Sequence, residues 1–339
     1  PVLVPGVVSE LRIEYSGTVP TERVFKPGSG GIVRDEALVF SIGEPAGSTT
    51  WMPGNDHPTD KAPYAVAVTV PTGMEATVGG LFVDSLTEGD STTFYFEHRL
   101  PVATYLVPIA VGDLSRIDRD AEGYAWRDYL GPGVDEIDVL DRQDEMVRYF
   151  EQYLGPYPFE ANGALVVDRD FWGALETQTL STYEPGAVQG FVVAHEIAHQ
   201  WVGNSVSVAD WSDIWLNEGF ATYLQWMWVA DDGGTPVDAA AAEAHARMRA
   251  VGPDWGPGEP PASDMFNRMV YDGGALTLHA LRSEVGDEAF FDVLARWVSD
   301  FAYSSASTAD LVVLAEDVTG TELGSLFDDW LLGELPDLP

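Results

Sequence analysis

Cysteine is absent from the 339 residues, which removes disulfides, thiol nucleophiles and thiolate metal sites together. Any metal the chain holds must therefore sit on His and carboxylate side chains. Cations are scarce as well. Lys plus Arg number 17 against 55 Asp plus Glu, a net charge of −38, and only Lys26 and Lys61 are lysine. Phosphate binding needs clustered cations, so no nucleic acid is expected as a partner, nor an anionic membrane face. No apolar run approaches the roughly 20 residues of a spanning helix, so no membrane span is expected. The chain opens Pro1-Val2-Leu3 without an initiator Met or a signal-peptide pattern, which reads as a processed or trimmed beginning.

What is present suits a globular chain. A hydrophobic fraction of 45% with 12% aromatics supplies core material, and the length points to two domains or one elaborate one. The first third reads as strands: Leu11 to Tyr15, Ala65 to Val70 and Thr92 to His98 alternate or are β-branched between Gly, Pro, Asp and Ser clusters, as in an antiparallel saddle or sandwich. The charged, Gly-rich stretch from Asp113 to Asp135 reads as a boundary. Helical spacing then dominates, over Asp138 to Leu154, Gly190 to Val202, Ile214 to Ala230, Ala239 to Ala250, Gly274 to Val285, Glu288 to Phe301 and Ala309 to Val318. Ala164 to Val167 and Ala174 to Leu180 read as strands, and Gly252 to Pro261 as a connecting loop.

The sharpest chemical signal is His195-Glu196-Ile197-Ala198-His199. Residues four apart share one face of a helix, so both imidazoles can address one ion, while Glu196 lies about 100° round and can reach a water on it. Eighteen residues separate His199 from Glu218 in Trp215-Leu216-Asn217-Glu218-Gly219-Phe220-Ala221. A return helix could bring that carboxylate to the same ion. Two His and one Glu leave a fourth tetrahedral position open, the arrangement of a catalytic rather than a structural zinc.

These residues resemble the aminopeptidase N family of zinc metallopeptidases, a branch of the gluzincins with a thermolysin-like catalytic domain. Three further segments carry the likeness. Gly173-Ala174-Leu175-Glu176-Thr177 is similar to the G-A-M-E-N exopeptidase motif, Val270-Tyr271-Asp272-Gly273-Gly274-Ala275-Leu276 to V-x-Y-x-K-G, and Glu44-Pro45-Ala46-Gly47 with Trp51 to Ala62 to the Q/E-A segment and its P-x-x-D-x-P-x-x-K-A continuation. The fold implied is α+β, an antiparallel β saddle or sandwich followed by a thermolysin-like, mainly helical zinc catalytic domain. Residues 1–115 would form a partial β-rich domain with an unpaired sheet edge, and residues 116–339 the catalytic domain of a compact member. The tail from Leu326 to Pro339 resembles the C-terminus of members without the large helical domain.

The resemblance implies one Zn2+ per chain on His195, His199 and Glu218, with Glu196 as general base and Tyr271 holding the oxyanion. Glu176 and Glu44 would bind the substrate's α-amino group, and the backbone of Gly173 and Ala174 would align the peptide. Asp56 and Lys61 are expected to fix a loop. The substrates implied are peptides with a free N-terminus, and compact relatives are often exported, so an extracellular location is expected over a cytoplasmic one. A thermolysin-like endopeptidase and a non-catalytic scaffold of the same fold are the alternatives. His57, His98, His245 and His279 stand without partners at ligand spacing, and Trp201, Trp211, Trp215, Trp226 and Trp228 read as core, with one of them able to line a specificity pocket.

Overall fold

The computed structural model describes residues 9–21, 30–34, 37–333 and 335–338. The β-rich part contains β1 (Gly31–Arg34), β2 (Leu38–Ile42), β3 (Ala62–Pro71), β4 (Glu75–Thr77), β5 (Leu81–Glu88), β6 (Ser91–Val102) and β7 (Ala110–Gly112). They form a four-stranded sheet in the order β1-β2-β7-β4 and a three-stranded sheet in the order β3-β6-β5, all antiparallel. Period-two alternation explains the second sheet: Thr92, Phe94, Phe96 and His98 of β6 turn inward, and Phe94 and Phe96 pack with Val70, Ala76 and Val78. Every open sheet has edges; here β3 and β5 have no further strand beside them among the described residues.

The remaining strands are β8 (Ser115–Arg119), β9 (Ala125–Leu130), β10 (Ala161–Asn162), β11 (Ala164–Val166), β12 (Ala174–Leu175), β13 (Ser181–Tyr183), β14 (Val206–Val208) and β15 (Ser304–Ala306). The helices are α1 (Gln143–Leu154), α2 (Gly190–Ala198), α3 (Trp215–Asp231), α4 (Val237–Val251), α5 (Gly274–Val285), α6 (Asp287–Asp300), α7 (Thr308–Thr319) and α8 (Gly324–Leu331). Strands β10, β9, β11, β13 and β12 lie side by side in that order, with β8 also paired to β9. The helices enclose the largest core, with Trp201, Trp215, Trp297, Tyr223 and Phe290 almost wholly buried.

Three sequence expectations need correction. Leu11 to Tyr15 is not a strand: residues 9–20 are irregular, and Leu11, Ile13 and Tyr15 are exposed. Their alternation has no ladder beside it to make it a strand. The stretch from Asp113 to Asp135 is not loose throughout, because β8 and β9 pair antiparallel within it, tied by Arg119 to Asp128 at 2.7 Å. Ala174 to Leu180 is not one strand either. Thr179 takes φ +66° after β12 and turns the chain back into β13.

Sheet membership changes between Gly112 and Ser115. A buried cluster nevertheless crosses that point, joining Val33, Leu38, Phe40 and Ile42 to Tyr129, Leu165, Phe171 and Leu175. Polar bonds reinforce the seam. Lys61 Nζ donates to the carbonyls of Asn204, Ser205 and Ser304 at 2.7, 2.9 and 3.2 Å. Asp56 accepts from the Thr104 hydroxyl and the Thr49 amide, so it fixes its own loop, whereas Lys61 joins two parts of the molecule.

Candidate metal centre and cleft

Helix α2 is apolar nearly all round, so it is buried, and it carries His195 and Glu196 inward with His199 at its C-terminal end. Helix α3 packs against it and returns Glu218 from its first turn. His195 Nε2 and His199 Nε2 lie 3.3 and 3.4 Å from Glu218 Oε2 and 3.0 Å from each other. Four ligands at about 2.05 Å in a tetrahedron stand roughly 3.3 Å apart. The three donors thus have the spacing and chemistry of one face of a zinc tetrahedron. His199 Nδ1 donates to the Val202 carbonyl at 3.0 Å, which directs its Nε2 at the centre. Gln225 is a further polar side chain beside His195.

A second triplet overlaps the first. Glu44, Glu176 and Glu218 bring carboxylate oxygens within 4.8 Å of one another, and each residue is 3% exposed. Burial, then the charges of Glu176, Glu218 and Glu196, raises the Glu44 carboxyl well above the usual range. Burial likewise lifts Glu176 to about 7 against the pull of His199, and it raises Glu196, with Glu176 and Glu218 adding to the effect. Burial works against ionised Glu218 too, but His199 and His195 bring it down to about 2. Burial disfavours a charged His199, yet Glu218 and Glu176 hold its proton to about 10. The whole field favours positive charge at this point.

Each anionic group is placed by a specific contact. Glu44 follows Gly43, where a Cβ would lie 1.9 Å from the Tyr105 carbonyl oxygen; no side chain fits, and the loop after β2 presses onto Tyr105. Glu176 is held through its own carbonyl, which accepts from Asn204 Nδ2 at 2.7 Å and Gln200 Nε2 at 3.3 Å. Gln200 directly follows His199 and also accepts from the Thr179 amide at 2.9 Å. The helix bearing the imidazoles and the strand bearing Glu176 are therefore one hydrogen-bonded unit.

Strand β12 is an edge of its sheet and borders the cleft through Ala174. Trp172 ahead of it takes φ +83°, costly for a non-glycine residue. The Glu184 carboxylate offsets this by accepting from the Phe171 and Trp172 amides at 2.7 and 2.8 Å, and Gly173 accepts from the Glu184 amide at 3.0 Å. Thr177, where the motif has Asn, turns inward to Leu180 and Thr182.

Tyr271 lies in a π-helical turn, Met269–Gly273, rather than at an ordinary helix start. Its ring stacks on His195 at 6.0 Å between centroids and 21° between planes. Burial, with the surrounding carboxylates, pushes the phenol well above its usual pKa, so it remains a donor. The cleft so assembled has a volume of about 510 Å³ and is lined by all the predicted side chains: Glu44, Glu176, His195, Glu196, His199, Glu218 and Tyr271.

Several residues in or beside this cleft were not singled out from sequence. Tyr105 is fully buried, and burial plus Glu176, Glu44 and Glu218 raise its pKa. Trp172, Phe191, Arg247 and Arg268 line the cavity; Trp226, read as core, lines it too. Trp201, Trp215 and Trp228 are core, and His98 is a packing residue bonded to the Val78 carbonyl at 2.8 Å.

An H-E-x-x-H helix answered by a Glu on the following helix defines the gluzincin class of metallopeptidase folds. Residues 139–330 match the peptidase family M1 domain. The M1 zinc metallopeptidase of Deinococcus radiodurans is 34% identical, with a TM-score of 0.85 over 94% of this chain and 75% of that one. A variant of that protein bound to the substrate Tyr-Ser-Ala gives a TM-score of 0.86 at 34% identity over 93% and 75%. This chain belongs to peptidase family M1. Among curated relatives, rice aminopeptidase M1-A is 28% identical over 85% of this chain and 36% of its own length. The leucyl aminopeptidase of Saccharolobus solfataricus is 26% identical over 95% and 44%. The chain thus spans well under two thirds of the curated relatives it matches.

Proposed function

We propose that this chain is a zinc-dependent aminopeptidase that holds one Zn2+ and releases the first residue of peptides with a free N-terminus. The division of the chain into a β-rich unit, 1–115, and a catalytic unit, 116–339, is part of the same reading and is supported by the change of sheet between Gly112 and Ser115. The observation that carries it is the second carboxylate triplet. Glu44 Oε1 and Glu176 Oε1 are buried without a hydrogen bond beside Glu218, and unpaired buried carboxylates call for a cation. An α-ammonium next to the metal centre meets that need.

His195, His199 and Glu218 would hold Zn2+, which would supply Lewis acidity toward the scissile carbonyl and a water. Glu196, one residue beyond His195, takes the proton from that water and returns it to the leaving amine. The Tyr271 phenol donates to the oxygen on which charge develops. Glu176 and Glu44 grip the ammonium while the free edge of β12 lies along the peptide, fixing which bond meets Glu196.

The test compares a peptide with its N-acetylated form. Loss of one member of a buried charge pair costs about 2–5 kcal/mol, so acetylation should lower kcat/KM by roughly 30- to 5000-fold. Equal cleavage of both peptides would overturn the amine anchor and favour an endopeptidase.

A further inference from the structure

The cleft has a second electrostatic pole. Its lining carries four acidic residues around the metal centre, and it also carries Arg247 and Arg268, two of only 17 basic residues in a chain of −38. Both guanidinium groups converge on one carboxylate. Arg247 Nη2 and Nε meet Asp272 Oδ2 at 2.8 and 3.1 Å, and Arg268 Nη1 lies 3.8 Å from the same oxygen. Asp272 is 4% exposed and directly follows Tyr271 in the π-helical turn. One negative charge thus holds two positive ones beside the oxyanion donor, and a positive charge is left over. Glu243 lines an adjoining recess together with Arg247.

We infer that Arg247 and Arg268 receive the C-terminal carboxylate of a short peptide, which makes the preferred substrates oligopeptides of a few residues with both ends free. The inference rests on the aminopeptidase reading. A zwitterionic oligopeptide matches a cleft that is acidic around the metal centre and carries guanidinium groups beside Asp272. Arg247 keeps its Nη1 donors outside the Asp272 bonds, and the Arg268 side chain is 74% exposed. Guanidinium groups with free donors take carboxylates in two parallel hydrogen bonds. A long polypeptide brings no carboxylate to this pole.

The experiment measures kcat/KM for a tripeptide acid, the same tripeptide as its C-terminal amide, and an aminoacyl anilide. The zinc-loaded wild-type protein and Arg268→Gln are compared. A charge-assisted bond is worth about tenfold or more, so the wild-type acid-to-amide ratio should be at least about ten, mainly through KM. In Arg268→Gln that ratio should collapse toward one. A ratio inside each protein cancels any loss of folded or metal-loaded material. If wild type cleaves anilide, amide and acid alike, the carboxylate site is refuted while the aminopeptidase reading stands. Failure to cleave any of the three overturns the aminopeptidase reading itself. A wild-type preference for the acid that persists unchanged in Arg268→Gln and in Arg247→Gln removes the assignment from these arginines.

Discussion

Two helices meet backbone to backbone at Gly219 and Gly274, and replacing Gly219 by Ala tests how the site is spaced. A Cβ on Gly219 would stand 2.7 Å from both the Cα and the carbonyl carbon of Gly274 and 3.1 Å from the Ala275 nitrogen. Carbon atoms in ordinary contact are about 3.5 Å or more apart, so α3 and α5 must separate locally by roughly 0.8 Å. Nothing flexible can yield, because the atoms met are all backbone. Overpacking of this kind costs about 1–3 kcal/mol, and the better helix propensity of Ala offsets about 1 kcal/mol. A net loss of about 0–2 kcal/mol lowers Tm by at most a few degrees in a chain of this size.

The effect on turnover should be the larger one. Gly219 follows Glu218 of the candidate metal centre, and Gly274 follows the turn that carries Tyr271, so separation moves one side chain away from the other. A misplacement near 1 Å costs on the order of 100-fold in rate. Gly219→Ala should therefore lose about 10- to 100-fold in kcat/KM with only a modest change in melting. Gly274→Ala meets the same gap, at 2.8 Å from Gly219 Cα, and the double variant should be less than additive. Gly186, with nothing within 4 Å of a built Cβ, is the control. If Gly219→Ala melts and turns over like Gly186→Ala, the glycine contact does not set the spacing of the site.

Glu196→Gln should keep its zinc, measured by metal analysis, and lose roughly 10²- to 10⁴-fold in kcat; wild-type turnover would remove Glu196 as the base. Asp128 is fully buried and accepts from Arg119 at 2.7 Å, Gln143 at 3.0 Å and the Ala164 amide at 2.9 Å. Asp128→Ala should thus destabilise by about 3 kcal/mol or more in urea, and an unchanged midpoint would contradict that. Burial lowers the Lys61 ammonium from 10.5 to about 7. Between those two values the unfolded chain binds more protons than the folded one, so this group's contribution to stability rises with pH from about 7 to 10.5 and is level below. Lys61→Met should remove that slope from the wild-type-minus-variant difference in unfolding free energy, and identical slopes would argue against it.

The candidate metal centre was legible because its geometry is mostly local. Two imidazoles four residues apart share a helix face whatever surrounds them, and Glu218 lies on the next helix. Glu44 was readable only through its resemblance, since its place depends on the Gly43 contact with Tyr105, which is 62 residues further along the chain. Tyr105, Gln200 and Asn204 gave no signal, because neither a phenol nor a side-chain amide announces which distant carbonyl or carboxylate it will meet. Leu11 to Tyr15 failed for the opposite reason: its alternation is a strong local pattern, but a strand needs a neighbour. The β8–β9 hairpin was hidden by its charges, which pair across the ladder, as Arg127 does with Asp118. Tyr271 was found as a residue while its π-helical turn was not, for an extra residue in a turn leaves the apolar spacing nearly intact.

Lys61 makes the seam between the β-rich strands and the helices chemically addressable. It is the lysine among the described residues, Lys26 lying outside them, and all three N–H donors of its ammonium are engaged with carbonyls. With Lys26 replaced by Arg, acylation of this side chain by an amine-directed reagent would require the ammonium to leave these carbonyls. The rate of that labelling is then a clock for opening, separate from catalysis and from global unfolding. A surface crowded with lysines would drown such a signal; a chain this poor in them leaves it readable.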